Sequence, residues 1–213
     1  MDLVVFDIDG TLTRTNKVDS ECFVETIREV LGLEEFETDW TKYQFVTDSG
    51  VAQEISHQYR ERPLTGAEMK RLDEVMIRRL GQEDGTQFQQ VPGSAEFLQG
   101  LEESSRFAVA IATGASQGSA RLKLEMAGIS VGEIPLASSS DAVVREHIMM
   151  QAMDRASHRH KTPFSRVTYF GDAPWDVDAT GNLGWDLIGI GPGIDTPNRF
   201  DDYSDPEAIL RLL

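Results

Sequence analysis

The sequence predicts an α/β protein: a doubly wound, parallel-sheet core with an inserted helical subdomain. Three observations predict it. From about residue 92 onward, short apolar runs alternate with helical stretches, the pattern of a parallel sheet covered on both faces. Residues 14–81 read as helical with no strand. Polar tips, Asp7-Ile8-Asp9-Gly10-Thr11, Thr113-Gly114-Ala115-Ser116 and Gly171-Asp172-Ala173-Pro174-Trp175-Asp176, follow three of the apolar runs, at the strand ends where ligands collect in such sheets.

Leu3-Val4-Val5-Phe6 reads as a buried strand running into two aspartates one residue apart. Carboxylates at the end of a buried strand need a compensating charge, which a bound cation supplies. Alternate strand residues share a face, so Asp7 and Asp9 are expected to point the same way, with Ile8 in the packing. After a polar stretch, residues 20–31 place Cys22, Phe23, Ile27, Val30 and Leu31 at helical spacing, and Gly32 stops the helix. Residues 33–48 carry Trp40, Tyr43 and Phe45 among acids, read as the small core of the helical segment. A helix capped at Asp48 or Ser49 runs to about residue 59, before Pro63. Thr65-Gly66-Ala67-Glu68 is a capping box, and Met69, Leu72, Val75, Met76 and Leu80 share one face, so residues 66–80 are a helix.

Residues 81–91 form a polar return connection. Beyond it come a helix to 103, a strand at 107–112, a helix at 116–127, a strand at 134–137 and a helix at 141–157. His158 and His160 fall in a polar loop, followed by a strand at 167–170, a helix at 174–182 with proline in its first turn, a strand at 187–190 and a helix at 206–213. The expected division is a core of residues 1–13 and 82–213, with residues 14–81 as the inserted unit.

Hydrophobic content of 40% with 26% charged residues is that of a soluble globular protein. The opening apolar run is four residues long and is stopped by Asp7, so neither a membrane span nor an export signal is expected, and the cytoplasm is the expected location. The single cysteine, Cys22, forms no internal disulfide. A net charge of −16 argues against a nucleic-acid surface, because phosphate backbones need a basic footprint. The same field slows anionic substrates, so phosphate chemistry here requires a metal and a few local cations.

Asp-x-Asp-Gly-Thr after the first strand, Thr-Gly after the next core strand and Gly-Asp-x-x-x-Asp after a later one resemble the haloacid dehalogenase superfamily. The motifs stand in order from Asp7 to Asp176, and the helical insertion is placed like the cap of the phosphoglycolate phosphatase and β-phosphoglucomutase branch. The resemblance implies a Mg²⁺-dependent phosphatase acting on a small phosphorylated metabolite, with Asp7 as nucleophile forming an aspartyl phosphate. It implies Asp9 as the acid for the leaving oxygen and then the base for water. Thr11 would help hold the loop and the substrate. Thr113 and Gly114 would bind the phosphoryl group, helped by amides opening the next helix. Asp172 would bind Mg²⁺ with Asp7 and the Asp9 carbonyl, and Asp176 would act directly or through water. Substrate selection would fall to residues 47–50, whereas Trp175 reads as packing.

One departure stands out. The family supplies a lysine, often in Lys-Pro-x-Pro-Asp, where this chain has Ser140-Asp141-Ala142-Val143-Val144-Arg145. Arg145 is the nearest cation, and a guanidinium can hold phosphate at two points.

Three other functions compete. A phosphomutase shares the first step. A non-catalytic binding protein of the same fold would explain the missing lysine but not the Asp7 and Asp9 pair. An NAD(P)-dependent oxidoreductase would use Thr113-Gly114-Ala115-Ser116-Gln117-Gly118 as a pyrophosphate loop. Against the last, that loop lies mid-chain, and none of Tyr43, Tyr59, Tyr169 and Tyr203 has a lysine four residues on.

Overall fold

Strands β1 (Asp2–Phe6), β2 (Phe107–Ala112), β3 (Leu136–Ala137), β4 (Val167–Gly171), β5 (Asp186–Ile190) and β6 (Arg199–Phe200) build one sheet in a computed structural model describing residues 1–213. The strand order is β3-β2-β1-β4-β5-β6 and every pairing is parallel. The apolar run at residues 3–6 is continuous because β1 is central and covered on both faces. Val4 and Phe6 join Val109, Ile111, Phe170 and Ile188 in one core, and Leu3 and Val5 join Ala108, Ala110 and Tyr169 in the other.

The chain between β1 and β2 carries α1 (Asn16–Leu31), α2 (Asp48–Arg60) and α3 (Gly66–Leu80), and none of the sheet's strands. Phe23, Ile27, Val51, Ile55, Leu72 and Met76 form a separate apolar cluster there, with Tyr43 buried in it. Trp40 packs at its edge, with its ring edge-on to Phe23, centroids 5.7 Å apart. The capping box forms in full: Thr65 Oγ1 accepts the Glu68 N–H, and the Glu68 carboxylate accepts the Thr65 N–H.

Helix α4 (Ser94–Glu103), α5 (Gln117–Met126) and α8 (Pro206–Leu210) cover the first core through Phe97, Leu98, Leu101, Ala120, Leu124 and Ile209. Helix α6 (Arg145–His160) and α7 (Pro174–Leu183) cover the second through Ile148, Met149, Ala152, Ala156 and Ala179. The sheet is therefore doubly wound, as expected. No helix is long and apolar enough to cross a membrane.

Several boundaries differ from the sequence reading. Helix α6 starts four residues later than expected because Asp141 is used otherwise: its carboxylate accepts the Ser138 N–H at 2.9 Å and pairs with Arg155 at 2.6 Å. The same helix continues through His160, so His158 and His160 occupy its last turn and not a loop. Helix α1 begins earlier, at Asn16, with Thr15 as a cap residue whose hydroxyl bonds to Asp9. Strand β6 was not anticipated, its two residues being too short a run to register against β5 by pattern alone.

Candidate active site

The carboxyl ends of β1, β2 and β4 open on one cavity of about 140 Å³, whose lining includes Asp7, Asp9, Thr113, Gly114, Arg145 and Asp172. Strand β1 ends at Phe6, so Asp7 stands just past its tip, buried. Strand β4 delivers Asp172 beside it, and the first turn of α7 delivers Asp176. One oxygen from each of Asp7, Asp172 and Asp176 lies within 4.8 Å of the other two.

Burial is the main force on these acids. It pushes Asp7 well above the usual carboxylate range; Arg145 opposes the rise, and Asp176, Asp172 and Asp9 add to it. Asp172 is pushed up to about 7, first by burial and then by Asp176. Asp176 is also raised by burial, against the pull of Arg145 and the amides it accepts. Acids that repel each other in this way are stabilised by a shared cation. The donors are all hard oxygens, which suits Mg²⁺. Asp7, Asp172 and the Asp9 carbonyl, which accepts no hydrogen bond within the chain, are fit to hold it. Both Asp176 oxygens are already engaged: Oδ1 takes Arg145 Nη1 at 3.2 Å, and Oδ2 takes the N–H groups of Asp172 and Ala173.

Arg145 is the cation that the structure brings to Asp7. From the first residue of α6 it reaches 4.0 Å from Asp7 Oδ1 and donates to the Val46 carbonyl at 3.0 Å. Its Nε–H is buried without an acceptor. Gly114 makes room for it, since a Cβ there would lie 2.7 Å from Arg145 Nη2 and 3.0 Å from the Val46 oxygen.

Thr113 is buried, and its Oγ1 accepts the Ala115 N–H, leaving the hydroxyl proton to donate. Three of the amides opening α5, expected to be free, are taken. Ser116 N–H goes to Asp48, Gln117 N–H to Ser140 and Ser119 N–H to Ser116 Oγ. The Gly114 N–H donates nowhere within the chain, and neither do those of Ile8 and Asp9 past the end of β1, so these amides are left for an anion. Thr11 lies outside the cavity lining, with its Oγ1 buried and unpaired.

Asp9 does not join the acid cluster with its carboxylate. Its oxygens take Lys123 Nζ and Thr15 Oγ1, each at 2.5 Å, because the chain leaves the strand after Phe6 and alternation no longer governs it. Lys123 is the site residue that the sequence reading missed. One signal was there: it sits on the stripe Ala120, Leu124, Ala127 of α5, where a buried lysine requires a partner.

Residues 46–49 close over the strand ends. Thr47 Oγ1 donates to the Val143 carbonyl, Asp48 N–H to the Gly114 carbonyl and Ser49 Oγ to the Ser139 carbonyl. Trp175 faces the cavity too, with the Arg145 guanidinium 5.9 Å from its ring centroid, so it is wall as well as packing.

A family model described as haloacid dehalogenase-like hydrolase matches residues 1–184. The chain belongs to that family. No curated protein matches the chain. Among solved structures, this haloacid dehalogenase-like hydrolase is similar to a protein from Bacteroides vulgatus described as a β-phosphoglucomutase (17% identity, 99% of this chain and 88% of that one, TM-score 0.70). It is also similar to CbbY from Rhodobacter sphaeroides in complex with phosphate (16%, 96% of each chain, 0.68). A third is a protein from Haemophilus somnus described as a phosphoglycolate phosphatase (16%, 99% and 98%, 0.61). At these identities the likeness establishes the fold.

The tip of β1 in this hydrolase tolerates no side chain at Gly10, whose φ is +78° and whose Cβ would fall 1.9 Å from Asp172 Oδ2. Gly10→Ala is expected to cost about 1 kcal/mol or more in urea denaturation, from the left-handed backbone. It would also displace Asp172, one of the residues fit to hold Mg²⁺.

Proposed function

We propose that the chain is a Mg²⁺-dependent phosphatase that hydrolyses a small phosphomonoester through an aspartyl phosphate on Asp7, with residues 14–81 as a cap over the site. The observation that carries this reading is the convergence on Asp7: Arg145 4.0 Å away, and Asp172 and Asp176 close enough to share a cation. When bound, Mg²⁺ neutralises the repulsion between the Asp7 carboxylate and the phosphoryl group.

The Asp7 carboxylate attacks phosphorus, the bond from phosphorus to the leaving oxygen breaks, and Asp9, entering the step protonated on Oδ1 with Oδ2 held by Lys123, gives that oxygen its proton. Asp9 then takes a proton from water as the water attacks phosphorus, the bond to Asp7 breaks, and inorganic phosphate leaves. The Thr113 hydroxyl, the Gly114 N–H and Arg145 supply donors to the phosphoryl oxygens. Closure of residues 46–49 keeps bulk water out during the first step.

The rest of the lining narrows the leaving group. It carries Asp19 and Asp48 with Phe23, Trp40 and Trp175, and Arg145 is the only cation in the lining. A second anionic group has no partner there, so phosphoesters of uncharged alcohols fit better than carboxylated ones. Phosphate release across a panel of sugar, nucleotide and short-acid phosphates, with and without Mg²⁺, tests the function. Mg²⁺-dependent release from uncharged alcohols is expected to exceed that from phosphoglycolate. Release with no Mg²⁺ requirement, or transfer to a second hydroxyl of the sugar in place of release, contradicts a phosphatase.

The metal-free protein is expected to lose stability between pH 5 and pH 8. Asp172 ionises near 3.8 ordinarily but is held at about 7 in the fold, and burial raises Asp48 in the same direction. These raised values contribute stability that is complete below the ordinary value and is lost as pH rises through the folded one. Mg²⁺, binding the folded form, is expected to recover the loss at pH 8 in proportion to the logarithm of its concentration. A melting temperature flat from pH 5 to 8 without metal contradicts the assignment.

A further inference from the structure

Lys123 is fully buried in α5. Removing an ammonium from water costs several kcal/mol, recovered only when the partners are well placed. Here the partners are Asp9 Oδ2 and Asp19 Oδ1, each 2.5 Å from Nζ. The other Asp9 oxygen accepts Thr15 Oγ1, and Thr15 in turn is 2.5 Å from Thr13 Oγ1. Both ends of the Asp9 carboxylate are thus tied, one to the core helix and one to the start of α1. Of the two ties, only Lys123 is charged.

We propose that Lys123 is a positioning residue that aims Asp9 at the leaving oxygen and, through Asp19, sets α1 of the helical segment in register with the reacting end of the site. This rests on the reading of Asp9 as the acid for the leaving group. Lys123 touches neither the phosphoryl group nor Asp7; it acts by fixing where the Asp9 carboxyl stands. Displacing a proton donor by about 1 Å is enough to cost about 10²-fold in rate. The loss falls where the leaving oxygen most needs its proton. An alcohol that departs readily as an anion is nearly indifferent to it.

The test compares phenyl phosphate with p-nitrophenyl phosphate, which share a shape and differ in leaving-group basicity, in wild type, Lys123→Met and the double variant Lys123→Met/Asp19→Asn. The quantity read is kcat/KM in saturating Mg²⁺, which covers the steps through phosphoryl transfer to Asp7 and omits the later hydrolysis. Lys123→Met is expected to lower kcat/KM for phenyl phosphate by about 10²-fold and to change its ratio to p-nitrophenyl phosphate by about tenfold or more. The double variant removes the unpaired Asp19 charge, so it folds where the single variant does not, and it is expected to keep the altered ratio. Parallel losses on the two esters, or a wild-type ratio in the double variant, overturn the proposal and leave Lys123 a structural ion pair. Wild-type protein that hydrolyses neither ester overturns the reading of Asp7 and Asp9 first, and this inference with it.

Discussion

Asp7→Asn is expected to lower phosphate release by about 10⁴-fold or more, the scale on which removal of a covalent nucleophile acts. The amide matches the carboxylate in shape but cannot form the acyl phosphate. Folding should not suffer. Asp7 is buried beside Asp172 and Asp176, its carboxyl is pushed upward by that burial, and removing its charge relieves repulsion among the three. The expected result is therefore an inactive protein whose metal-free melting temperature at pH 7.5 equals or exceeds that of the wild type. A phosphate-release assay and a thermal melt on the same preparation check both halves. Wild-type turnover in Asp7→Asn would remove the phosphatase reading altogether.

Arg145→Met should do the opposite to stability. The guanidinium is nearly buried, faces Asp176 at 3.2 Å and Asp7 at 4.0 Å, and is the only cation in the cavity lining. Breaking a buried pair by deleting one partner costs about 3–5 kcal/mol, because the other charge is left uncompensated. The loss should grow from pH 5 to pH 8, as the acids that Arg145 holds down are forced to ionise beside one another. Urea denaturation at the two pH values measures it. Arg145→Lys is expected to return more of the stability than of the phosphate affinity, since an ammonium restores the charge but not the two-point geometry. Equal stability of Arg145→Met and wild type at pH 8 would show that Arg145 is a solvated helix charge.

Local signals carried most of the fold into the sequence. The capping box at Thr65 and Glu68 and the apolar face from Met69 to Leu80 marked α3 to the residue, because both depend on neighbours three or four positions apart. The buried runs of β1 and β2 were equally plain, being apolar on both faces. Asp141 was less so: its partner Arg155 lies fourteen residues on, and a carboxylate spent on a turn looks in sequence like one that opens a helix.

The site shows the same division. Asp7, Asp172 and Asp176 were legible because the first two follow strand ends and the third opens the helix after β4, each in a recurring neighbourhood. The orientation of Asp9 was not. It depends on Lys123, more than a hundred residues away in the chain, and on where β1 stops pairing. That the α5 amides are occupied was equally hidden, since their acceptors are Asp48 in the inserted segment and Ser140 in a loop after β3.

The seam between the inserted helices and the core is unequal along its length. Where α3 meets α5 it is closely packed, with Ile77 so tight on Gly118 that a Cβ there would fall 2.3 Å from Ile77 Cδ1 and with Asp73 accepting Ser116 Oγ beside it. At residues 46–49 it is made of hydrogen bonds, each worth about 0.5–1.5 kcal/mol net once water takes its place. Under the proposed function such a join would act as a door, hinged where it is closely packed and opening along its wet edge. Because the Val46 carbonyl and an incoming anion draw on the same guanidinium, the latch and the ligand are coupled, and each alters the hold of the other by the same free energy.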